Sequence, residues 1–235
     1  MAKMTAADKY APEVVPTSDG SHTLFIPALG EHYHSFHSSV REAVHVYINA
    51  GLLHIAEKTT DAPIEVFEVG FGTGLNALVT ALAAKKAARD VRFSSIEFYP
   101  LTAEDCSVLN YCDHLEEPEA TGIFEQLHAA EWEESVKIHK HFSLHKIHDD
   151  FFAREFPEGV FHLIYFDAFG FRAQEEFWSI AVFEKCFKIL KPGGALVTYA
   201  SKGLVRRNMQ AAGFTVEKLE GPPGKREMVR ALKPN

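Results

Sequence analysis

The chain has 235 residues, of which 46% are hydrophobic and 24% are charged, and its formal net charge is −8. This composition is typical of a soluble globular protein, and the length suits one α/β domain with a short extension. No apolar run approaches the ~18 residues that a membrane span needs. The N-terminus lacks the apolar core of a signal peptide. We therefore expect a cytoplasmic protein that has no membrane partner.

Cysteine usage gives the same expectation. The chain has three cysteines, Cys106, Cys112 and Cys186, and none of them forms a CxxC pair. An odd count without metal-ligand spacing predicts reduced thiols in a cytoplasmic protein.

Charge is distributed unevenly along the chain. The segment from Ser201 to the C-terminus holds eight basic and three acidic residues, a net charge of +5, so the remaining 200 residues carry −13. A basic face on an acidic body is compatible with a polyanion that docks in one orientation. An ordinary solvated surface explains the same distribution equally well.

The N-terminal part of the chain is predicted to be irregular and then helical. Residues 1–22 are polar, and Pro12 and Pro16 discourage regular structure. Ser39 followed by Glu42 resembles a capping box, and apolar residues then recur at helical spacing. We predict a helix over about 38–57 and an N-terminal unit, residues 1–60, on the substrate side of the molecule.

Strands and helices alternate in the second predicted unit, residues 61–235. Short apolar stretches predict buried strands at 64–69, 91–96, 143–147, 161–166 and 195–200, with a late hairpin of 214–219 and 227–232. Helices are predicted at 76–88, 102–109, 175–190 and 204–212. The acidic segment 110–140 is predicted to be a solvated helical insertion. This alternation indicates a Rossmann-like α/β fold with a doubly wound, mostly parallel sheet that binds its ligand outside the carboxyl ends of the strands.

A glycine turn follows the first predicted strand. Gly70, Gly72 and Gly74 form a Gly-x-Gly-x-Gly turn that opens a helix at Asn76. Glycine allows positive φ and close ligand approach, and the helix N-terminus offers free N–H groups to an anionic moiety. A dinucleotide fingerprint has the wider Gly-x-Gly-x-x-Gly spacing, so the turn favours S-adenosylmethionine (SAM) over a nicotinamide cofactor.

Carboxylates follow the neighbouring strands. Glu97 comes after the second strand, where an acidic residue can accept hydrogen bonds from both ribose hydroxyls. Asp149 and Asp150 follow the next strand, where either one can reach the adenine edge. Glu68 precedes the glycines and can hold the turn or face the methionine amine. The alternative for each residue is an ordinary surface or structural carboxylate.

Asp167 is the candidate catalytic residue, and it ends the apolar run 161–166. A carboxylate among aromatic residues can have a raised pKa or can pair with a cationic substrate. Methyl transfer to an amine needs a neutral nitrogen, and a nearby carboxylate can position the amine and take its proton. A helix N-cap or a second cofactor contact is the alternative interpretation.

The histidines do not predict a metal site. His32, His34 and His37 cluster in one segment, and His139, His141 and His145 would share one face of a strand. No cysteine or carboxylate stands at structural-zinc spacing, so we expect no metal.

Several segments resemble a known enzyme family. They are 68–76 (EVGFGTGLN), 95–102 (SIEFYPLT), 165–169 (YFDAF), 177–178 (FW), 191–194 (KPGG), 199–207 (YASKGLVRR), 212–214 (AGF) and 221–228 (GPPGKREM). The likeness, from about residue 33 to residue 233, is to the methyltransferase half of MnmC and its stand-alone relative MnmD. That family methylates the 5-aminomethyl group of a modified wobble uridine in tRNA, giving 5-methylaminomethyl-2-thiouridine.

The resemblance implies roles for particular residues. Gly70, Gly72, Glu97 and Asp150 would hold SAM, and Asp167 would face the aminomethyl group. Seven residues would lie on the RNA side, with the anticodon stem-loop docked on the basic C-terminal face: Tyr33, His34, Lys202, Arg206, Arg207, Lys225 and Arg226. Asp149 departs from the family pattern, which has a glycine there.

The resemblance also sets an expectation about flavin and leaves rivals open. Bifunctional family members carry an FAD-dependent oxidase after this region, whereas this sequence ends seven residues after Met228, so we expect no FAD. The rivals are a SAM-dependent N-methyltransferase acting on a small-molecule or protein amine, and a non-enzymatic module that has kept the fold.

Overall fold

A large sheet with helices on both faces dominates the computed structural model, which describes residues 11–34, 37–60 and 63–235. A small separate sheet contains β1 (Glu13–Pro16), β2 (His22–Ile26) and β3 (Glu31–His32). The main sheet contains β4 (Ile64–Val69), β5 (Val91–Glu97), β6 (Ser135–His139), β7 (Phe142–His148), β8 (Phe161–Phe166), β9 (Leu190–Thr198), β10 (Thr215–Glu220) and β11 (Glu227–Leu232).

The helices alternate with these strands. The first, α1, is continuous and is α-helical over Ser39–Ala43, π-helical over Val44–Leu53 and α-helical again over His54–Lys58. The others are α2 (Leu75–Lys86), α3 (Ala103–Ser107), α4 (Ala120–Ala129), α5 (Ile180–Ile189) and α6 (Gly203–Ala211), with 3-10 turns at Tyr111–His114 and Glu175–Trp178. No helix among the described residues is long and apolar enough to cross a membrane.

The topology of the main sheet confirms the predicted fold class. The strand order is β10-β11-β9-β8-β4-β5-β7-β6. The five strands from β9 to β7 pair in parallel, whereas β11 and β6 pair antiparallel at either side. The order reverses on the two sides of β4. A ligand binds at such a switch point, outside the carboxyl ends of the strands.

Strand register places the functional segments next to one another. Val69 of β4 pairs with Ile96 of β5 on one side and with Phe166 of β8 on the other. The residues that follow these three positions, Gly70, Glu97 and Asp167, therefore lie side by side at one edge of the sheet. The Gly70 N–H donates to the Ile96 carbonyl at 2.9 Å, which closes this edge.

The core lies on both faces of the sheet because successive strand residues point to opposite sides. In β4, Val66 packs with α1, α2 and α4, whereas Phe67 and Val69 pack with α5 and α6. All six residues of β8 are buried. Strands covered on both faces read as continuous apolar runs, which is why β4 and β8 were visible in the sequence.

Helix α1 approaches the sheet closely at one residue. A Cβ atom on Gly51 would lie 3.1 Å from Val197, 3.4 Å from Tyr165 and 3.5 Å from Leu163. The buried residues of α1 belong to the same core cluster as those of β4 and β8. The boundary predicted at residue 60 stays a prediction, but the helix before it shares its core with the sheet.

Three local predictions were wrong. Within the predicted irregular segment 1–22, residues 13–16 form β1 and His22 begins β2, while residues 1–10 lie outside the described part of the chain. The segment 110–140 is more than a solvated insertion, since α4 buries Ile123 and Leu127 and β6 pairs with β7. His139 ends β6 and His145 lies in β7, so the histidines do not share one strand.

Two helix boundaries also differ from the prediction. The predicted helix 175–190 is a 3-10 turn followed by α5, because Ser179 adopts an extended conformation between them. The N-cap of α1 is Ser38, whose hydroxyl oxygen accepts from the Arg41 N–H at 3.2 Å, and the predicted Ser39–Glu42 capping box is absent. Glu42 lies in the first turn of α1 and does not cap the helix.

Candidate active site

A cleft of about 630 Å³ opens at the carboxyl ends of β4, β5, β7 and β8. This volume lies within the range of about 300–1,000 Å³ that is usual for small-molecule sites. Strand β3 and the two residues after it, 31–34, form one wall, and the loops after β4, β5, β7 and β8 form others. The cleft therefore lies where the switch point in the sheet predicts it.

The glycine turn forms the floor of the cleft. Gly70, Gly72 and Gly74 all have positive φ, at 90°, 49° and 75°. At Gly72 the reason is also steric, because a Cβ there would lie 3.1 Å from the ring of Tyr33. Gly74 is the N-cap of α2, whose first residues Leu75 and Asn76 line the cleft. Only bare backbone leaves this turn open to a ligand.

The N-terminal segment covers the glycine turn. Tyr33 packs edge-on to Phe169 with ring centroids 5.0 Å apart. The buried His34 hydrogen-bonds through Nε2 to the Thr73 hydroxyl at 2.8 Å. Burial lowers the pKa of His34 to about 4, so its ring is neutral at pH 7. His34 is thus placed to support the turn.

Glu97 lies beside the turn with its carboxylate held by backbone groups. Its Oε2 accepts from the Gly72 N–H at 3.1 Å and its Oε1 accepts from the Tyr99 N–H at 2.8 Å. The carboxylate is only partly buried and lines the cleft. It can also accept hydrogen bonds from the hydroxyls of a bound sugar.

Asp149 and Asp150 both line the cleft but have different partners. Asp149 Oδ2 pairs with Arg154 at 3.2 Å, and its Oδ1 accepts from the Asp150 N–H at 2.8 Å. Asp150 Oδ1 accepts from the Phe152 N–H at 2.8 Å. Both carboxylate oxygens of Asp149 therefore have partners within the loop, whereas Asp150 uses one of its two oxygens in this way.

Asp167 follows β8 and lies beside the glycine turn at the same edge of the sheet. Its Oδ2 accepts from the Asn76 amide at 2.8 Å. Burial raises the pKa of Asp167, while the Tyr47 hydroxyl, the Asn76 amide and the charge of Lys225 act in the opposite direction. A carboxylate with a raised pKa is a stronger base than an exposed one, so this group can take a proton from a ligand.

Behind Asn76 lies a second acid, Glu68, which is fully buried. Its Oε2 accepts from the Ser95 hydroxyl at 2.7 Å. Burial raises the pKa of Glu68 well above its ordinary value, with the nearby Asp167 and Glu97 adding to the effect. Glu68 therefore supports Asn76 from beneath the floor and does not line the cleft.

Sequence reasoning missed residues on the side of the cleft beyond Asp167. Glu42, Tyr199 and Gln174 line it, and Tyr47 faces Asp167 from α1. The sequence pattern assigns Glu42 to a capping box, and it does not single out Tyr47. Helical spacing shows which residues share a face, but it does not show that this face meets a cleft.

The basic C-terminal segment is only partly a free surface. Four of its eight basic residues are engaged within the fold: Lys218 with Glu227, Lys225 with Glu42, Arg230 with Glu217, and Lys233 with the carbonyls of Phe187 and Leu190. Lys202, Arg207 and Arg226 are exposed, and Arg206 is half-buried. Arg206, Arg207 and Lys218 line a separate cavity of about 240 Å³ between α6 and β10.

The structure brings most of the predicted site residues together. The cleft is lined by Tyr33, His34, Gly70, Gly72, Asn76, Glu97, Asp149, Asp150, Asp167 and Lys225. Glu68 and Gly74 lie beneath its floor, and Lys202, Arg206, Arg207 and Arg226 lie outside it. Within residues 11–34, 37–60 and 63–235, no group of three or more histidine, cysteine or acidic side chains is placed to hold a metal ion.

Comparison with known proteins defines the class of this protein. Residues 128–234 match the family model described as S-adenosyl-L-methionine-dependent methyltransferase. Together with the Rossmann-like sheet and its glycine turn, this match makes the chain a SAM-dependent methyltransferase. SAM as the cofactor is thereby confirmed.

The relatives are more particular and confirm the resemblance found in the motifs. The chain is 28% identical over 242 residues to the tRNA 5-methylaminomethyl-2-thiouridine biosynthesis bifunctional protein MnmC of Cupriavidus metallidurans, with 93% of this chain covered. It is 31% identical over 232 residues to the protein of the same name in Aromatoleum aromaticum, with 91% covered. The chain spans about one third of the length of these relatives, 33% and 34%.

Solved structures agree on the fold. The crystal structure of MNMC2 from Aquifex aeolicus superposes with a TM-score of 0.78 at 22% identity, covering 97% of this chain and 73% of that one. Spermidine synthase from Thermotoga maritima superposes with a TM-score of 0.53 at 14% identity, covering 94% and 72%. At these identities the likeness concerns architecture.

The raised pKa of Glu68 predicts how stability depends on pH. In the unfolded chain Glu68 loses its proton near pH 4.3, whereas the folded protein retains it to higher pH, so this group lowers the unfolding free energy as pH rises. The side chain of Glu68→Gln is neutral at every pH, so the variant does not lose unfolding free energy in this way as pH rises. We expect the unfolding free energy of the variant, relative to that of wild type, to increase from pH 5 to pH 8. The increase should be about 1.4 kcal/mol for each unit by which the pKa of Glu68 is raised within this pH range.

Chemical denaturation of both proteins at pH 5 and pH 8 measures this difference. Glu104→Gln, at an exposed position in α3, is the control and should show the same difference from wild type at both pH values. An equal difference for Glu68→Gln at the two pH values would contradict the buried, protonated acid.

Proposed function

We propose that this chain methylates the aminomethyl nitrogen of 5-aminomethyl-(2-thio)uridine at the tRNA wobble position, giving 5-methylaminomethyl-(2-thio)uridine. The observation that carries the proposal is Asp167, a carboxylate of raised pKa that lines the same cleft as the glycine turn. The choice of tRNA as substrate is supported by the names of the MnmC relatives.

The cofactor side of the cleft fits SAM. Gly70 and Gly72 line the cleft with backbone alone, and Glu97 would offer carboxylate oxygens to the ribose hydroxyls. We assign the adenine edge to Asp150, since both Asp149 oxygens are engaged within the protein. Asn76 and the N-terminus of α2 would bind the methionine carboxylate, and Glu68 and Gly74 would support the turn from below.

SAM, when bound, supplies an electrophilic methyl group. The residues of the chain prepare the acceptor. An aminomethyl group enters largely as an ammonium ion, and Asp167 is placed to take one proton from it and leave a lone pair on nitrogen. The Asn76 amide, which donates to Oδ2, holds the carboxylate in orientation. The stronger basicity that burial gives Asp167 favours this proton transfer.

The RNA contacts are proposed on the same face. A wobble base lies in a single-stranded loop, so it can be splayed out and received by a cleft with aromatic walls. Tyr33 and His34 lie at the wall of the cleft. We propose that Lys202, Arg206, Arg207 and Arg226 contact the phosphate backbone of the anticodon stem-loop. A tRNA substrate implies a cytoplasmic site of action.

The test is methyl transfer from labelled SAM to bulk tRNA from cells that lack this activity, followed by mass analysis of the nucleosides. A gain of about 14 daltons on aminomethyl-uridine supports the proposal, since that is the mass of one added CH₂. Retained SAM binding without any labelled tRNA would refute the substrate and favour the rival, a small-molecule or protein amine.

Asp167→Ala is expected to reduce turnover by ~10²-fold or more, the usual size of a general-base contribution. SAM affinity, measured by calorimetry, should stay within a few-fold of wild type.

Because the carboxylate form is the active one, kcat/KM of the wild type should rise with pH through the raised pKa of Asp167. Weak SAM binding with normal turnover of the loaded enzyme would exclude the proposed role.

The two neighbouring aspartates provide a matched pair. Asp150→Ala should weaken SAM binding by about tenfold, because the loss of one hydrogen bond to a buried ligand group costs roughly 1–1.5 kcal/mol. Asp149→Ala should change it less than threefold, since that side chain holds Arg154. Equal effects, or the reverse order in a SAM titration, would move the adenine contact to Asp149.

Arg206→Ala combined with Arg207→Ala should raise the KM for tRNA. The slope of log KM against log salt concentration should decrease by about one to two, which is one for each lost phosphate contact. SAM binding should be unchanged, because both arginines lie outside the cleft. Steady-state kinetics at several salt concentrations would show this. An unaltered slope would remove these arginines from the RNA face.

A further inference from the structure

Lys225 points into the cleft, although its place in a basic segment suggested an RNA contact. Its Nζ lies 2.6 Å from Glu42 Oε2. The same nitrogen lies 3.9 Å from the centre of the Tyr199 ring. All three residues line the cleft that contains Asp167. A carboxylate and an aromatic face together form the usual surroundings of a bound ammonium ion.

Glu42 and Tyr199 are fixed more firmly than the lysine they bind. Glu42 belongs to α1 and its side chain is only 8% exposed. The Tyr199 hydroxyl donates to the Ala168 carbonyl at 2.9 Å, which holds the ring in place. Lys225 follows Gly224, in the loop that joins β10 and β11, and its side chain has four rotatable bonds. The ammonium position is therefore built independently of Lys225.

This position is adjacent to the catalytic carboxylate. The charges of Asp167 and Glu42 both raise the pKa of Tyr199, and both also raise the pKa of Tyr47. The charge of Lys225 in turn lowers the pKa of Asp167. Asp167 and Glu42 therefore both act on Tyr47 and Tyr199, and Lys225, Glu42, Tyr199 and Asp167 all line one cleft.

We propose that Glu42 and Tyr199 form a subsite for the primary ammonium of the acceptor, and that the Lys225 ammonium occupies this subsite until the acceptor displaces it. The inference rests on the proposed amine acceptor and adds its point of entry. The Lys225 nitrogen fills the position between Glu42 Oε2 and the face of Tyr199, so an acceptor ammonium can take this position only when Lys225 leaves it. Asp167 lines the same cleft.

The experiment is an NMR titration of propylammonium into the full chain saturated with S-adenosylhomocysteine, with propanol as the neutral control ligand. Lys225→Ala should bind propylammonium at least tenfold more tightly than wild type. The gain should disappear in the double variant Glu42→Gln/Lys225→Ala. Lys218→Ala is the matched control, because Lys218 belongs to the same hairpin and its 2.6 Å ion pair with Glu227 lies outside the cleft. It should bind propylammonium as wild type does.

Two results would overturn the subsite: no gain in Lys225→Ala, or a gain that persists without the Glu42 carboxylate. Thermal melting verifies that each variant is folded, and Lys225→Ser replaces the alanine variant if that one does not fold. The titration is independent of the tRNA assay. Methylated tRNA without an ammonium gain refutes the subsite alone, whereas an ammonium gain without tRNA methylation refutes the tRNA substrate and retains the subsite.

Discussion

The parallel pairing of β4 with both β5 and β8 is the constraint on which the site depends. Because Val69 is in register with Ile96 and Phe166, the next residues of three distant segments meet at one edge. Backbone hydrogen bonds fix this register, and a slip of one residue would turn every buried side chain to the other face. The sheet thus holds the glycine turn, Glu97 and Asp167 together without help from the loops.

Several carboxyl groups are buried near this edge of the sheet, away from the water that would stabilise their charged forms. Glu68, Asp167 and Glu42 lie within one small region, and burial raises the pKa of the first two. Such an arrangement costs folding free energy, because a buried carboxylate is stable only when protonated or paired. Buried carboxyl groups of this kind are often found at functional sites, where a strong base or a cation site is needed. Ser95, Asn76 and Lys225 reduce it here.

The N-terminal region completes the cleft that the sheet begins. Tyr33 covers Gly72, His34 supports Thr73, and α1 brings Glu42 and Tyr47 to the acceptor side. The helix reaches this place because Gly51 lets it lie close to the sheet. Residues of the N-terminal region thereby line the same cleft as the ends of the parallel strands.

The sequence by itself determined the doubly wound sheet, the glycine turn and the carboxylates at the strand ends, because buried parallel strands read as apolar runs and their ends mark the site. The small N-terminal sheet and β6 escaped prediction, since short edge strands have weak patterns. Only the tertiary structure decided that Lys225 faces Glu42, a contact between residues 183 positions apart. Periodicity reports which face of an element is apolar, but the partner of a polar side chain is set by how distant segments pack.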